Sequence, residues 1–215
     1  MKNWLRLLWK VSLNAGVCGV GWILFSVVTV FHLHLAVAGV PTDQVRGTVD
    51  RVLTIVQNST LKSADKRQER REQLSKVISA RFDFAEMARR SLGPEWRRLR
   101  PSQQQQFVEL FTDLLRDAYV ADIESYKGEK VIYTRETQED QYAVVQTILR
   151  SAAGTEYSVD YRLYLVGKEW KVYDVVIENV SIVNNYRSQF ARVINKSSYE
   201  GLIRALQEKT LSKQN

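Results

Sequence analysis

Between residues 129 and 177 the chain abandons helical spacing and alternates apolar and polar residues with a period of two. Four runs carry the pattern, 130–135, 141–151, 156–166 and 170–177, and each reads as a strand with one apolar face. The links between them contain Glu139-Asp140, Ala153-Gly154 and Gly167-Lys168. The last two supply glycine where a tight hairpin needs positive φ. Read as two-residue turns, they set a register. Gly167-Lys168 places Leu165 opposite Trp170, Leu163 opposite Val172, Tyr161 opposite Asp174 and Val159 opposite Val176. Ala153-Gly154 places Ile148 opposite Val159, Gln146 opposite Tyr161, Val144 opposite Leu163 and Tyr142 opposite Leu165. Both hairpins then put Tyr142, Val144, Ile148, Val159, Tyr161, Leu163, Leu165, Trp170, Val172 and Val176 on one face. A slip of one residue scatters that set.

Helical spacing governs the rest. Thr42 is an expected cap for a helix whose apolar side is Val45, Val49, Val52, Leu53 and Val56. Residues 64–79 are dominated by charge, with a thin edge of Leu74, Val77 and Ile78, and read as a solvated helix. Asp83 is placed to cap a short helix that turns Phe84, Met87, Ala88 and Leu92 inward and stops at Gly93-Pro94. Pro101-Ser102 opens the longest helix, with a stripe of Phe107, Leu110, Phe111, Leu114, Leu115, Ala118 and Tyr119. After the strands, Ser181 precedes a helix bearing Tyr186 and Phe190, and Ser197 with Glu200 reads as a capping box for a last one. Strands followed and preceded by helices give an α+β class: a curved antiparallel sheet of about four strands packed by several helices.

The N-terminal 38 residues read as a leader. Lys2, Arg6 and Lys10 precede an uncharged run over 11–31, and Ala36-Val37-Ala38 is an A-x-A cleavage signal. The rival reading is an uncleaved anchor, because the run is long enough to span a bilayer. Either way the remainder, 39–215, is exported as one domain. The single cysteine, Cys18, and both histidines, His32 and His34, fall in the leader. The exported part therefore offers no cysteine nucleophile, no Ser-His triad and no histidine metal site. Without the three leader cations, the net charge of +7 falls to +4, too mild for a nucleic-acid surface.

Two polar constellations remain. Asp174 and Gln146 flank Tyr161 on the expected apolar face, and Asp174 there is either an acid–base group or a buried, hydrogen-bonded structural carboxylate, the latter favoured. Arg89, Arg90, Arg97, Arg98 and Arg100 crowd around Gly93-Pro94, as a solvated face or as a rim for phosphate or an acidic partner.

Phe82-Asp83-Phe84, Met87-Ala88, Leu92-Gly93, Trp96, Gln106-Phe107, Trp170-Lys171-Val172, Asp174-Val175 and the run Asn185-Tyr186-Arg187-Ser188-Gln189-Phe190, in this order, resemble the MlaC/toluene-tolerance family. The resemblance implies an NTF2-like cone that holds lipid acyl chains. It implies a periplasmic, non-enzymatic carrier, monomeric and without cofactor, metal or nucleic acid. Its partners are then phospholipid, or a polycyclic lipid such as a hopanoid, an outer-membrane lipoprotein complex and an inner-membrane ABC transporter with an MCE subunit. On this reading the lipid wall is Phe84, Met87, Phe107, Phe111, Leu114, Val144, Ile148, Val159, Tyr161, Leu163, Trp170 and Val172. Arg89, Arg90, Arg97 and Arg98 form the head-group or partner rim. Many members carry Gly where this chain has Asn179, a residue that tolerates the left-handed conformation. The competing classes are an enzyme using Asp174 with Tyr161, and an anchored adaptor with a filled core.

Overall fold

The computed structural model describes residues 40–211, so the expected leader, with Cys18, His32 and His34, lies outside the described residues. Helix α1 (Val40–Gln57) buries Val45, Thr48 and Val56 on one side. Two short 3-10 turns follow, and Asn58 caps the first by accepting from the Thr60 amide. In α2 (Arg67–Arg81) Leu74 is fully buried, in keeping with its charge-rich sequence. Arg70 and Arg71 tie it down by reaching Glu124 at 2.9 and 3.0 Å.

Phe82 is extended and bridges strand residue Val172, while the Asp83 amide donates to the Val172 carbonyl. The Asp83 side chain then caps α3 (Phe84–Leu92), accepting from the Glu86 amide at 2.9 Å. Gly93, at φ 59°, ends the helix. Helix α4 (Pro101–Glu124) packs on α3 and on α5 (Ile182–Leu211). Helix α5 is broken at Ser198, whose φ is 74°. The break is capped by Ser198, which donates to Glu200 and accepts from the Gly201 amide, rather than by Ser197 as expected.

The sheet is a five-stranded antiparallel meander in the order β1 (Lys130–Glu139), β2 (Tyr142–Arg150), β3 (Glu156–Val166), β4 (Glu169–Ile177) and a short β5 (Val180–Ser181). The chain is thus α+β as expected, with one strand more. The β4–β5 turn holds Glu178 and Asn179 at φ 48° and 64°, so Asn179 does occupy the left-handed region. Glu178 gains two local partners there, the amide and hydroxyl of Ser158.

The register departs from expectation in two places. The β3–β4 turn is the two-residue Gly167-Lys168 loop, and Leu165–Trp170 and Leu163–Val172 pair as expected. A bulge then makes Tyr173 the extra residue, so Arg162, not Tyr161, lies opposite Asp174. The β2–β3 connection is longer than two residues. Arg150 pairs with Glu156, and residues 151–155 close through bonds from the Ser151 amide to the Thr155 carbonyl and from the Thr155 amide to Ser151 Oγ. A two-residue Ala-Gly turn fits neither favoured hairpin type, since both ask for Gly, Asn or Asp at the first position. The one-residue difference exchanges the faces of β2. Val144 pairs with Arg162 and Ile148 with Ser158, while Ala143, Val145 and Thr147 stand opposite Leu163, Tyr161 and Val159.

Candidate functional site

The corrected register defines an inward face and an outward face. The inward face carries Val131 and Tyr133 of β1, Ala143, Val145, Thr147 and Leu149 of β2, Tyr157, Val159, Tyr161, Leu163 and Leu165 of β3, and Trp170, Val172, Val175 and Ile177 of β4. Helix α1 lies over it along the β1 edge. The Thr42 amide and hydroxyl both donate to Glu136 Oε2, and Arg46 stacks on the Tyr133 ring at 4.2 Å. Gln57, at the helix end, reaches the Tyr126 hydroxyl just before β1 begins. Gln44 anchors the other end by accepting from the Trp170 amide at 2.9 Å and from Arg81.

Two halves of this face differ. Toward the β3–β4 hairpin, Ala143, Val145, Leu163, Trp170 and Val172 are closed off almost completely. Toward the opposite end, Val131, Tyr133, Leu149, Tyr157, Val159, Tyr161 and Ile177 are half-buried around a sealed Thr147, and Val49, Val52 and Leu53 of the covering helix α1 are half-buried as well. Burial pushes the Tyr161 hydroxyl up to about 12, yet its side chain is not sealed. We take this half as the candidate site, a half-buried apolar patch of the inward face that α1 covers along β1 and β2.

The residues expected to form a lipid wall divide accordingly. Val159 and Tyr161 lie in the patch. Leu163, Trp170 and Val172 share its face but belong to the sealed half. Phe107 and Phe111 have no accessible surface. They stack on each other at 5.8 Å and meet Phe190 edge-on at 5.6 and 5.9 Å, with Tyr186 closing the cluster. Met87 and Leu114 are also buried, and Phe84 stacks on Phe82 at 6.1 Å. These are helix-packing contacts. Val144 and Ile148 are corrected outright: the register turns them to the outward face, away from Tyr161.

Asp174 and Gln146 move with that correction. Both stand on the outward face, opposite Arg162 and Asp160, so neither flanks Tyr161. Asp174 is 3% exposed and accepts three bonds, from Ser181 Oγ at 2.6 Å, the Val183 amide at 3.1 Å and Arg162 at 3.3 Å. It thereby holds the first turn of α5. An acid–base pair of Asp174 with Tyr161 is ruled out by a sheet lying between them.

Of the expected arginine rim, Arg90 lies over the outward face, on the Tyr173 ring. Arg89 and Arg90 both bind Glu86, at 2.6 and 2.7 Å. Burial alone raises Glu86, but those hydrogen bonds outweigh it and hold the carboxyl below its ordinary value. Arg90 lies over the Tyr173 ring at 3.9 Å, and Tyr164 donates its hydroxyl to Asp83. Tyr173 in turn meets Tyr142 and Tyr164 edge-on, so this cluster covers the outward face at the hairpin end. Arg98 pairs with Glu95 at 3.1 Å, and Arg97 is exposed. Among the described residues no cluster of His, Cys, Asp or Glu could hold a metal ion, and no helix is long and apolar enough to cross a membrane.

Sequence reasoning missed Tyr133, Leu149 and Tyr157. The faces of Leu149 and Tyr133 depend on the β2–β3 loop length, whereas Tyr157 shares the face of Val159 by the two-residue period of β3. The comparisons with known proteins agree with this architecture. A phospholipid-binding protein from Ralstonia solanacearum, solved in complex with a phospholipid, matches with a TM-score of 0.73 and 28% identity, over 80% of this chain and 98% of that one. The toluene tolerance protein ttg2D of Pseudomonas putida is 23% identical over 176 residues, 81% of this chain and 82% of that protein. The family model described as MlaC protein matches residues 46–208, and the chain belongs to the MlaC family.

Proposed function

We propose that this chain is a phospholipid carrier of the periplasm, taking acyl chains into a recess beneath α1. The observation that carries the reading is the inward face itself, where half-buried apolar and aromatic side chains beneath α1 adjoin a fully buried half. Apolar surface in that state is stabilised by an apolar occupant. The similar Ralstonia protein was solved with a phospholipid, which supports that choice of occupant.

The physical need is plain. An acyl chain in water costs about 0.8 kcal/mol per CH₂, so a chain of about sixteen carbons faces a barrier on the order of 10 kcal/mol. A carrier removes that barrier by enclosing the tails. We further propose that the leader is cleaved, and that the carrier moves lipid between an outer-membrane lipoprotein complex and an inner-membrane ABC transporter with an MCE subunit. In this role it needs no catalytic group, and the buried carboxylate at Asp174 is structural. Native mass spectrometry of the protein isolated from the periplasm tests the reading. Protein carrying phospholipid is expected, and protein isolated empty that takes up none from vesicles refutes it.

A further inference from the structure

The floor of the recess is not wholly apolar. Among the described residues, the Tyr133 hydroxyl is a buried side-chain oxygen with no hydrogen-bond partner. Such a group in a native interior calls for an explanation, because leaving a donor unmet costs as much as desolvating it. Tyr133 lies on the inward face opposite Thr147, which is opposite Val159; Tyr161 is the next inward residue along β3. The two tyrosines share the inward face on strands separated only by β2. Thr147 between them offers nothing to a ligand, since its hydroxyl donates to the Val159 carbonyl at 2.7 Å.

We propose that Tyr133 and Tyr161 form a hydrogen-bonding pole inside the recess that receives the ester carbonyl of an acyl glycerol. The inference rests on the carrier reading and deepens it by assigning what the cargo presents at depth. Two features select a neutral acceptor. Both hydroxyls keep their protons well past neutral pH, so they serve as donors. The Arg46 guanidinium lies on the face of the Tyr133 ring, but the Asp50 carboxylate opposes its field there, so the positive charge offered to a phosphate is partly cancelled. An ester carbonyl is the polar group of a phospholipid that is uncharged and joined directly to the tails. One hydrogen bond of ordinary strength corresponds to a preference of about tenfold.

The test compares ester with ether linkage. The full chain is incubated with vesicles holding equal amounts of dioleoyl phosphatidylglycerol and its dioleyl ether analogue, which lacks both carbonyls. Retained lipid is read by native mass spectrometry. The wild-type chain is expected to retain the ester lipid in about tenfold excess. The Tyr133→Phe/Tyr161→Phe variant is expected to bind as much lipid in total, in a ratio near one. Should the double variant not fold, Tyr133→Phe alone carries the test, with the ratio falling at least threefold. A wild-type ratio near one, or a preference unchanged in the variants, overturns the proposal and leaves the carrier reading standing. A wild-type chain that retains neither lipid overturns both.

Discussion

Asp174→Asn is isosteric and removes one charge, so its effect isolates what the carboxylate does. In the native chain that carboxylate is 3% exposed and accepts from Ser181 Oγ, the Val183 amide and Arg162. Ser181 Oγ in turn accepts from the Asn184 amide at 3.0 Å, so two of the first amides of α5 depend on this group. Asparagine can still accept from Val183 through its carbonyl. Its NH₂ then faces Ser181 and the Arg162 guanidinium, neither of which it can replace the carboxylate for. Hydrogen bonds to a charged acceptor contribute about 1.5–3 kcal/mol each, against about 1 for neutral ones. Loss of negative charge at a helix N-terminus adds about 0.3–1 kcal/mol. Arg162 is half-exposed, so its share is small. The expected destabilisation is about 2–4 kcal/mol, a fall in Tm of about 5–15 °C for a domain of this size. Urea denaturation followed by circular dichroism measures it, and an unchanged m-value shows that the unfolded state is not the cause. A loss below about 1 kcal/mol refutes the capping argument. A variant of native stability that has lost lipid retention refutes the structural assignment altogether.

The remaining predictions address the site and its pH dependence. Val159→Glu sets a charge in the recess and is expected to lower lipid retention at least about tenfold. Val144→Glu, on the outward face opposite Arg162, is expected to leave retention unchanged, and native mass spectrometry of the pair checks the register. Tyr161 holds its proton up to about 12 when folded against an ordinary 10.0, so its stabilising share is whole below pH 10 and is lost between pH 10 and 12. That share is worth about 2–3 kcal/mol, and the alkaline loss of stability should shrink by about that much in Tyr161→Phe, as read by thermal unfolding across the alkaline range. Burial alone raises Glu124, but hydrogen bonds from Arg71 and Arg70 hold it lower than its ordinary 4.5. Its contribution is present above pH 4.5 and fades as pH falls through the lowered value, so Glu124→Gln should cost about 2 kcal/mol at neutral pH and flatten the acid limb.

Local chemistry made some elements readable and long-range geometry hid others. Asp83 as a cap, Gly93 as a stop and Gly167-Lys168 as a hairpin each follow from one or two residues, and the structure has all three. Asn179 in the left-handed region is of the same kind. The β2–β3 register is not, because Ala153-Gly154 marks a turn without stating how many residues it spans. The bulge at Tyr173 carries no local signature in the sequence, and it alone moves Asp174 from one face to the other. Both errors lie in strands whose faces are each partly apolar. Val144 and Ile148 outward and Val145 and Leu149 inward look alike in sequence. Val159 and Tyr161 stayed in the site because the β3–β4 hairpin ties their face to Leu163 and Trp170. The aromatic stripe of Phe107 and Phe111 was legible as buried, but whether it packs a ligand or Phe190 depends on where α5 returns.

The division of the inward face explains how a chain can keep a recess without collapsing into it. Closing the proposed recess requires the helices that bound it to move toward the sheet. Helix α1 is fixed at three points along β1 and β4, through Thr42, Gln44 and Arg46. Helix α4 is fixed by Glu124 to α2 and by the aromatic cluster to α5, whose first turn Asp174 locks to β4. These anchors are mostly polar and geometrically specific, so they hold the walls apart at a set distance, as apolar contacts alone do not. The cost is apolar surface left unpacked, at about 25 cal/mol per Å². An occupant that covers this surface binds the folded chain and not the unfolded one. It therefore raises stability by mass action, about 2.7 kcal/mol at a free concentration one hundred times its Kd. On the proposed reading, delipidated protein is expected to unfold at lower temperature than loaded protein, with the earliest amide exchange along α1 and residues 149–159. Equal melting of the two forms would mean that the walls, and not the cargo, complete the core.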